Sequence, residues 1–253
     1  MSPYVWAWVA FVGFGAGWVR GFAGFGFSVL CMAGLAWYVS PALVVPVVVM
    51  LEMFASIQLW RGALHCADKR WLMSLVALNV VAVPFGVGLL VWVPVEPLRA
   101  VVAVLLFVAA FTMRFVLRTQ LTDSTWLRRS CGAAAGLLNG LAASGGIVVG
   151  LTMAAAGVQA SALRATMIVY LLCADAYAML LMLLAYWLAP KAENVFFTDQ
   201  TPLLLMALGV PMLVGVYLGK RVFQQTSGKD YRAFVLNLLV FLTSVGLLRL
   251  WFI

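Results

Sequence analysis

Gly17–Ser28 reads GWVRGFAGFGFS and Gly136–Gly150 reads GLLNGLAASGGIVVG. Each holds a glycine-rich interruption, at 21–26 and at 140–146, set between two short apolar stretches. Those stretches are 4–17 and 25–39 around the first, and 130–141 and 146–157 around the second. At 1.5 Å per residue, crossing the ~30 Å hydrocarbon core takes roughly 20 residues, so none of the four crosses comfortably. Backbone that leaves helical hydrogen bonding at membrane depth is tolerated only inside protein or beside a water-filled cavity. The two interruptions therefore read as paired, broken segments rather than as simple spans.

Outward from them the apolar character hardly stops. Further apolar segments run over 42–60, 71–92, 98–117, 161–189, 201–219 and 232–252. Of the 253 residues, 66% are hydrophobic and 9% charged, with mean hydropathy +1.09. That composition excludes a soluble domain and gives one polytopic membrane domain. The net charge of +8 does not indicate nucleic acid, because the basic residues sit in short clusters between apolar runs. In a membrane protein such clusters set orientation and meet anionic headgroups. The first ten residues lack a basic n-region and a small-residue cleavage site, so they read as a membrane segment and not a removable signal. The four cysteines are scattered and His65 is the single histidine. No metal or cofactor is expected.

The interruptions also register an internal repeat. Placing Gly17 on Gly136 puts Arg20 on Asn139, Gly21 on Gly140, Gly26 on Gly145 and Phe27 on Gly146. Val83-Pro84 and Gly88 then match Val210-Pro211 and Gly215, and Arg99-Ala100 matches Arg232-Ala233. The chain divides into repeat 4–117, a linker 118–129 and repeat 130–253. Basic loops lie at 61–70, 114–129 and 220–232, whereas 93–97 and 190–200 are mainly acidic. If the basic loops are cytoplasmic, each broken pair starts and ends on one side as a hairpin. Each half is then a hairpin plus three transmembrane helices, and the second half is inverted relative to the first. Both termini are expected outside a cell membrane, taken as a bacterial inner membrane. A competing count makes each pair one long span, giving eight spans and parallel repeats, and fits the charges worse.

Discontinuous helices at corresponding positions of two halves point to a binding site. Glycine exposes backbone N–H groups, and a helix that starts there aims its positive end at an anion. The candidates are Gly21, Gly24 and Gly26 with Arg20, and Gly140, Gly145 and Gly146 with Asn139 and Ser144. Close helix packing is the competing reading of the glycines. Arg20 suits an oxyanion clamp or a buried ion pair. Arg164, with Thr166 nearby, reads as an anion-attracting residue at the cytoplasmic start of its span, or as an interfacial anchor. Glu52 and Asp175 lie mid-segment, where charge is costly and usually functional. They read as proton carriers or as partners of a buried arginine. Alignment of the halves sets Asp175 on Ser56 and Glu52 on Leu171, so the repeat does not duplicate the acids. Asn79 reads as interhelical glue. Trp6, Trp8, Trp60, Trp71, Trp92, Trp126, Trp187 and Trp251 read as interfacial anchors. No catalytic constellation is visible, so no enzyme is expected.

Gly17–Ser28, Gly136–Gly150 and the stretch Ala162–Tyr170 (ALRATMIVY) resemble the TauE/SafE sulfite-exporter family. The resemblance implies a membrane transporter for sulfite or organosulfonate-type anions, with an anion path near Arg20, Asn139, Ser144, Arg164 and Thr166. The sequence departs from the richer G-x-G-G-G pattern: Phe27 and Ser28 follow Gly26, and Ser144 precedes only Gly145-Gly146. The expected function is export of a small sulfur-containing oxyanion by alternating access. A proton-coupled organic-anion importer and a passive anion channel are the alternatives. Expected partners are the small anion and the lipid bilayer, with a homo-oligomer left open.

Overall fold

The structure, a computed structural model, describes residues 3–35, 38–39, 41–92, 121–188, 198, 200–228, 230–231, 234 and 237. The expected segment 98–117, the loop 93–97 and most of 232–252 lie outside them. The described residues form helices α1 (Pro3–Ala23), α2 (Phe27–Leu35), α3 (Pro41–Ala63), α4 (Lys69–Trp92), α5 (Thr125–Ala142), α6 (Gly145–Ala155), α7 (Ala160–Leu188) and α8 (Thr201–Gln224). Five of these, α1, α3, α4, α7 and α8, are long and apolar enough to cross a membrane. The expectation of a helical membrane protein is met. Large apolar side chains such as Phe11, Phe54, Met73, Phe85, Met206 and Val210 are exposed along them. In lipid that surface is at no disadvantage; in water it would drive aggregation.

Both interruptions are narrower than the sequence suggests. α1 continues through Arg20 and Gly21 to Ala23, so it has 21 residues and not the short run expected from 4–17. Only residues 24–26 leave the helix. Gly24 (φ 86°) and Gly26 (φ 94°) take left-handed conformations there, which glycine adopts without a Cβ penalty. α5 likewise runs through Gly140, and ends on Ala143 at φ 52° before Ser144.

The short helices fold back along their predecessors. The Trp8 indole Nε1 donates to the Gly34 carbonyl at 2.9 Å, and Gly34 abuts Val12. In the second pair Gly145 packs on Ala135, and the Leu121 N–H donates to the Ala155 carbonyl at 3.2 Å. Each glycine-broken pair is thus a helical hairpin.

Glycine stripes fix how the hairpins meet the other helices. Gly13, Gly17 and Gly21, one turn apart on α1, press against the backbone of Leu208, Met212 and Val216 on α8. Gly132, Gly136 and Gly140 on α5 press against Leu75, Asn79 and Val83 on α4. The numbers rise together in both pairs, so α1 runs parallel to α8 and α5 parallel to α4. A glycine stripe costs helix propensity of about 1 kcal/mol per residue but lets two backbones approach, the main source of helix association in lipid. In each case the first helix of one half packs on the last described helix of the other.

α3 and α7 pass between these pairs, with Val44, Val45 and Val47–Val49 of α3 fully or almost fully buried. The carboxyl ends of α3 and α8 and the amino end of α7 line one cavity, so α3 and α7 are antiparallel. Asp68, before α4, caps that helix by accepting from the N–H groups of Arg70 and Trp71. Its own N–H donates to Thr166 Oγ1 at 2.8 Å, tying the same end to α7. Arg61, Lys69, Arg70, Arg128, Arg129, Lys220 and Arg221 consequently gather at one end of the molecule. Of the expected tryptophan anchors, Trp92, Trp126 and Trp187 are exposed near helix ends, but Trp71 is 0% exposed. It packs inward beside Leu75 and Cys131, because the glycine-lined contact with α5 closes over that face of α4.

Candidate functional site

The hairpin tips and the two central helices bring four of the expected residues, and one unexpected residue, into a buried polar cluster. Arg20, Glu52, Ser56, Asn139 and Asp175 are each 0% exposed. Arg20 Nη2 donates to Ser56 Oγ at 2.5 Å, from α1 to α3. Asn139 Nδ2 donates to Asp175 Oδ1 at 3.2 Å, from α5 to α7. Both bonds join residues 36 apart in the chain. They occupy matching positions in the expected repeat, which sets Arg20 on Asn139 and Ser56 on Asp175.

The halves differ at the helix that begins after each tip. The Ser28 N–H at the start of α2 donates to Glu52 Oε1 across 3.4 Å, so a carboxylate from α3 already sits at the positive end of that short helix. At the matching place on α6, the apolar side chains of Leu171 and Met167 lie over Gly146. The cluster is incompletely bonded inside the protein. Arg20 Nε and Nη1, Glu52 Oε2, Asn139 Oδ1 and Asp175 Oδ2 are buried without a hydrogen-bond partner. Buried polar atoms are nearly always satisfied, so five orphans in one place mark a site arranged for something besides packing. Glu52 and Asp175 both act electrostatically on Arg20.

The remaining expected residues have structural work. Gly21 packs on Val216, Gly140 on Val83 and Gly145 on Ala135, while Gly24 and Gly26 supply the turn. Gly146 has only side-chain neighbours. Ser144 Oγ donates to the Ala142 carbonyl at 2.8 Å. Thr166 Oγ1 accepts from the Asp68 N–H before α4. Arg164 spends Nε on the Phe22 carbonyl (3.0 Å) and Nη2 on the Gly21 carbonyl (2.7 Å), with its guanidinium 4.0 Å over the Phe223 ring. Tyr231 OH donates to the Ala23 carbonyl at 2.7 Å. Three successive carbonyls at the end of α1 are thus capped by side chains from the second half. Asn79 Nδ2 donates to Tyr170 OH at 2.9 Å, the interhelical bond its sequence position suggests.

Two cavities open at the basic end, flanking Phe223. One, of about 330 Å³, is lined by Arg61, Arg164 and Lys220 with Gln58 and Ser161. The other, of about 560 Å³, is lined by Ser161, Thr226, Ser227 and Tyr231 among others. Neither is lined by Arg20, Glu52, Asn139 or Asp175. Arg164 and Tyr231, clamped to the end of α1, line these cavities beside the first hairpin tip. No group of three or more potential metal-ligating side chains occurs among the described residues.

Compared with known families, the chain matches the family model described as sulfite exporter TauE/SafE over residues 9–246. No curated protein and no solved structure gives a significant match.

Proposed function

The chain belongs to the sulfite exporter TauE/SafE family, and from that premise we propose that it exports a small sulfur-containing oxyanion, sulfite or a short sulfonate, by alternating access. The observation carrying this reading is Arg20: a fully buried guanidinium at a hairpin tip with two nitrogens unpartnered. Arginine is suited to oxyanions by its planar array of donors. Asn139 and Ser144 at the second tip, with the buried backbone of Gly24, Gly26, Gly145 and Gly146, complete the surroundings of the anion. The cavity bearing Arg61, Arg164 and Lys220 draws anions toward the first tip.

The basic end is read as cytoplasmic in a cell membrane. A potential negative inside then favours anion exit by about 2.3 kcal/mol per charge per 100 mV. The two halves are read as inverted repeats. Support comes from helix direction: α1, α3 and α8 run toward the basic end, and α4, α5 and α7 away from it, so each of these six helices opposes its repeat counterpart. Inverted halves can exchange shapes and open the same site to either side.

Transport of sulfite and methanesulfonate by purified protein in liposomes tests the reading, alongside Arg20→Gln. Removing a buried charge that binds the ligand costs about 2–5 kcal/mol, at least about thirtyfold in affinity. Movement of neither anion, or wild-type rates in Arg20→Gln, would overturn it. A second reading, a proton-coupled importer of an organic anion, draws on Glu52 and Asp175, each with an unpartnered oxygen. It requires uptake that responds to an imposed pH gradient.

A further inference from the structure

The charges of the buried cluster do not balance. Two carboxylates, Glu52 and Asp175, face one guanidinium, leaving one net negative charge where an anion is to bind. The unpartnered atoms point to one way of relieving the imbalance. Asn139 Nδ2 donates to Asp175 Oδ1, while the other oxygen of each side chain, Asn139 Oδ1 and Asp175 Oδ2, is an acceptor with no donor. One proton on Asp175 Oδ2 satisfies both: the acid O–H donates to the amide oxygen and the amide N–H donates to the acid carbonyl, closing a cyclic acid–amide pair. Glu52 is the poorer place for that proton. Its Oε1 accepts from the Ser28 N–H at the amino end of α2, a donor that leaves no acceptor beside it to be satisfied by a proton, whereas the amide bonded to Asp175 does.

We propose that Asp175 is a proton-binding site, that its proton is held between Oδ2 and Asn139 Oδ1, and that loss of this proton weakens anion binding at Arg20. The second half of this statement rests on the anion site argued above; the first half does not. The titratable and charged groups facing Asp175 are Arg20 from α1, Glu52 from α3, and Tyr170 and Cys173 from α7 itself. Cys31 of α2 faces Glu52. α5 contributes Asn139, α4 reaches α7 through Asn79, and α6 has no ionisable residue. Protonated Asp175 leaves Arg20 and Glu52 as a balanced pair; ionised Asp175 adds a charge that repels the incoming anion.

The two halves are tested separately. Infrared spectra of the wild-type protein should show a protonated-carboxyl band at neutral pH that disappears in Asp175→Asn and persists in Glu52→Gln. A spectrum without such a band, or one that only Glu52→Gln removes, overturns the proton site. Methanesulfonate is monoanionic throughout the working range, so its affinity reports the protein alone. Wild-type affinity should fall about tenfold per pH unit once Asp175 ionises, as one linked proton requires. Asp175→Asn, a standing mimic of the neutral acid, should bind with no such slope. A flat wild-type profile, or loss of binding in Asp175→Asn at every pH, overturns the linkage and leaves the anion site standing. If methanesulfonate and sulfite bind at no pH, the anion site falls and the linkage with it, while the infrared result still decides the proton.

Discussion

Arg164 illustrates how one residue can serve two ends. Its position at the start of a span suggests attraction of anions, yet its Nε and Nη2 are committed to the carbonyls of Phe22 and Gly21. Hydrogen bonds from a charged donor contribute about 1.5–3 kcal/mol each, those from a neutral hydroxyl about 0.5–1.5. Arg164→Ala should therefore lower thermal stability in detergent clearly more than Tyr231→Phe, which loses only the bond to the Ala23 carbonyl. Arg164→Lys should recover little, since one ammonium cannot span two carbonyls as the planar fork does. Melting temperatures in which Tyr231→Phe is the more damaging change would contradict this assignment. None of these contacts was legible in the sequence, because Arg164 and Tyr231 bond to residues 142 to 208 positions away. Ser56 was closer to legible. The repeat already paired it with Asp175 and paired Arg20 with Asn139, and only the inference that matched residues make matched bonds was missing.

At the scale of elements, the glycines sort into those that turn the chain and those that let helices touch. Both uses look alike in a linear sequence, which is why the interruptions read as 21–26 and 140–146 when the backbone leaves the helix only at 24–26 and 143–144. The stripe of Gly13, Gly17 and Gly21, four residues apart, was the signal that α1 continues. Its counterpart Gly132, Gly136 and Gly140 sits at the same repeat positions. A sharp contrast within α1 follows. A Cβ on Gly17 would collide with the backbone of Met212, whereas one on Gly15 meets nothing within 4 Å. Gly15→Ala should be neutral or slightly stabilising through helix propensity, by up to about 1 kcal/mol. Gly17→Ala should force α1 and α8 apart and lose roughly 1–3 kcal/mol, the usual cost of overpacking. Thermal unfolding of the two variants side by side decides the matter, and equal stabilities would mean that the stripe does not hold the helices. The hairpins and four of the five long apolar helices, α3, α4, α7 and α8, were legible because a membrane forces apolar length and internal hydrogen bonding on the chain. The burial of Trp71 was not, since it depends on which face of α4 receives α5.

For the whole molecule, the question is which ends share a side of the membrane, and the protein carries its own probe. Cys66 is exposed in the turn between α3 and α4, while Cys31 and Cys131 are buried. Cys173 is exposed on α7 but lies midway along an apolar helix, where a charged thiol reagent in lipid has no access. An impermeant maleimide should therefore mark Cys66 selectively. With inverted halves and the basic end in the cytoplasm, Cys66 reacts only when that face is exposed, as in inside-out vesicles. In a Cys66→Ser background, Ser124→Cys at the amino cap of α5 should react from the same side, because α5 runs parallel to α4 and starts beside it. Tyr4→Cys and Gln200→Cys, at the starts of α1 and α8, should react from the opposite side. The arrangement of eight crossings with parallel halves makes a different forecast: it places the 61–70 and 190–200 loops together, so Cys66 and Gln200→Cys would react from one side. Labelling those two positions from opposite faces is compatible only with hairpins that return to the side they started from. Labelling them from the same face would break the inversion, and with it the structural basis for opening one site alternately to the two sides.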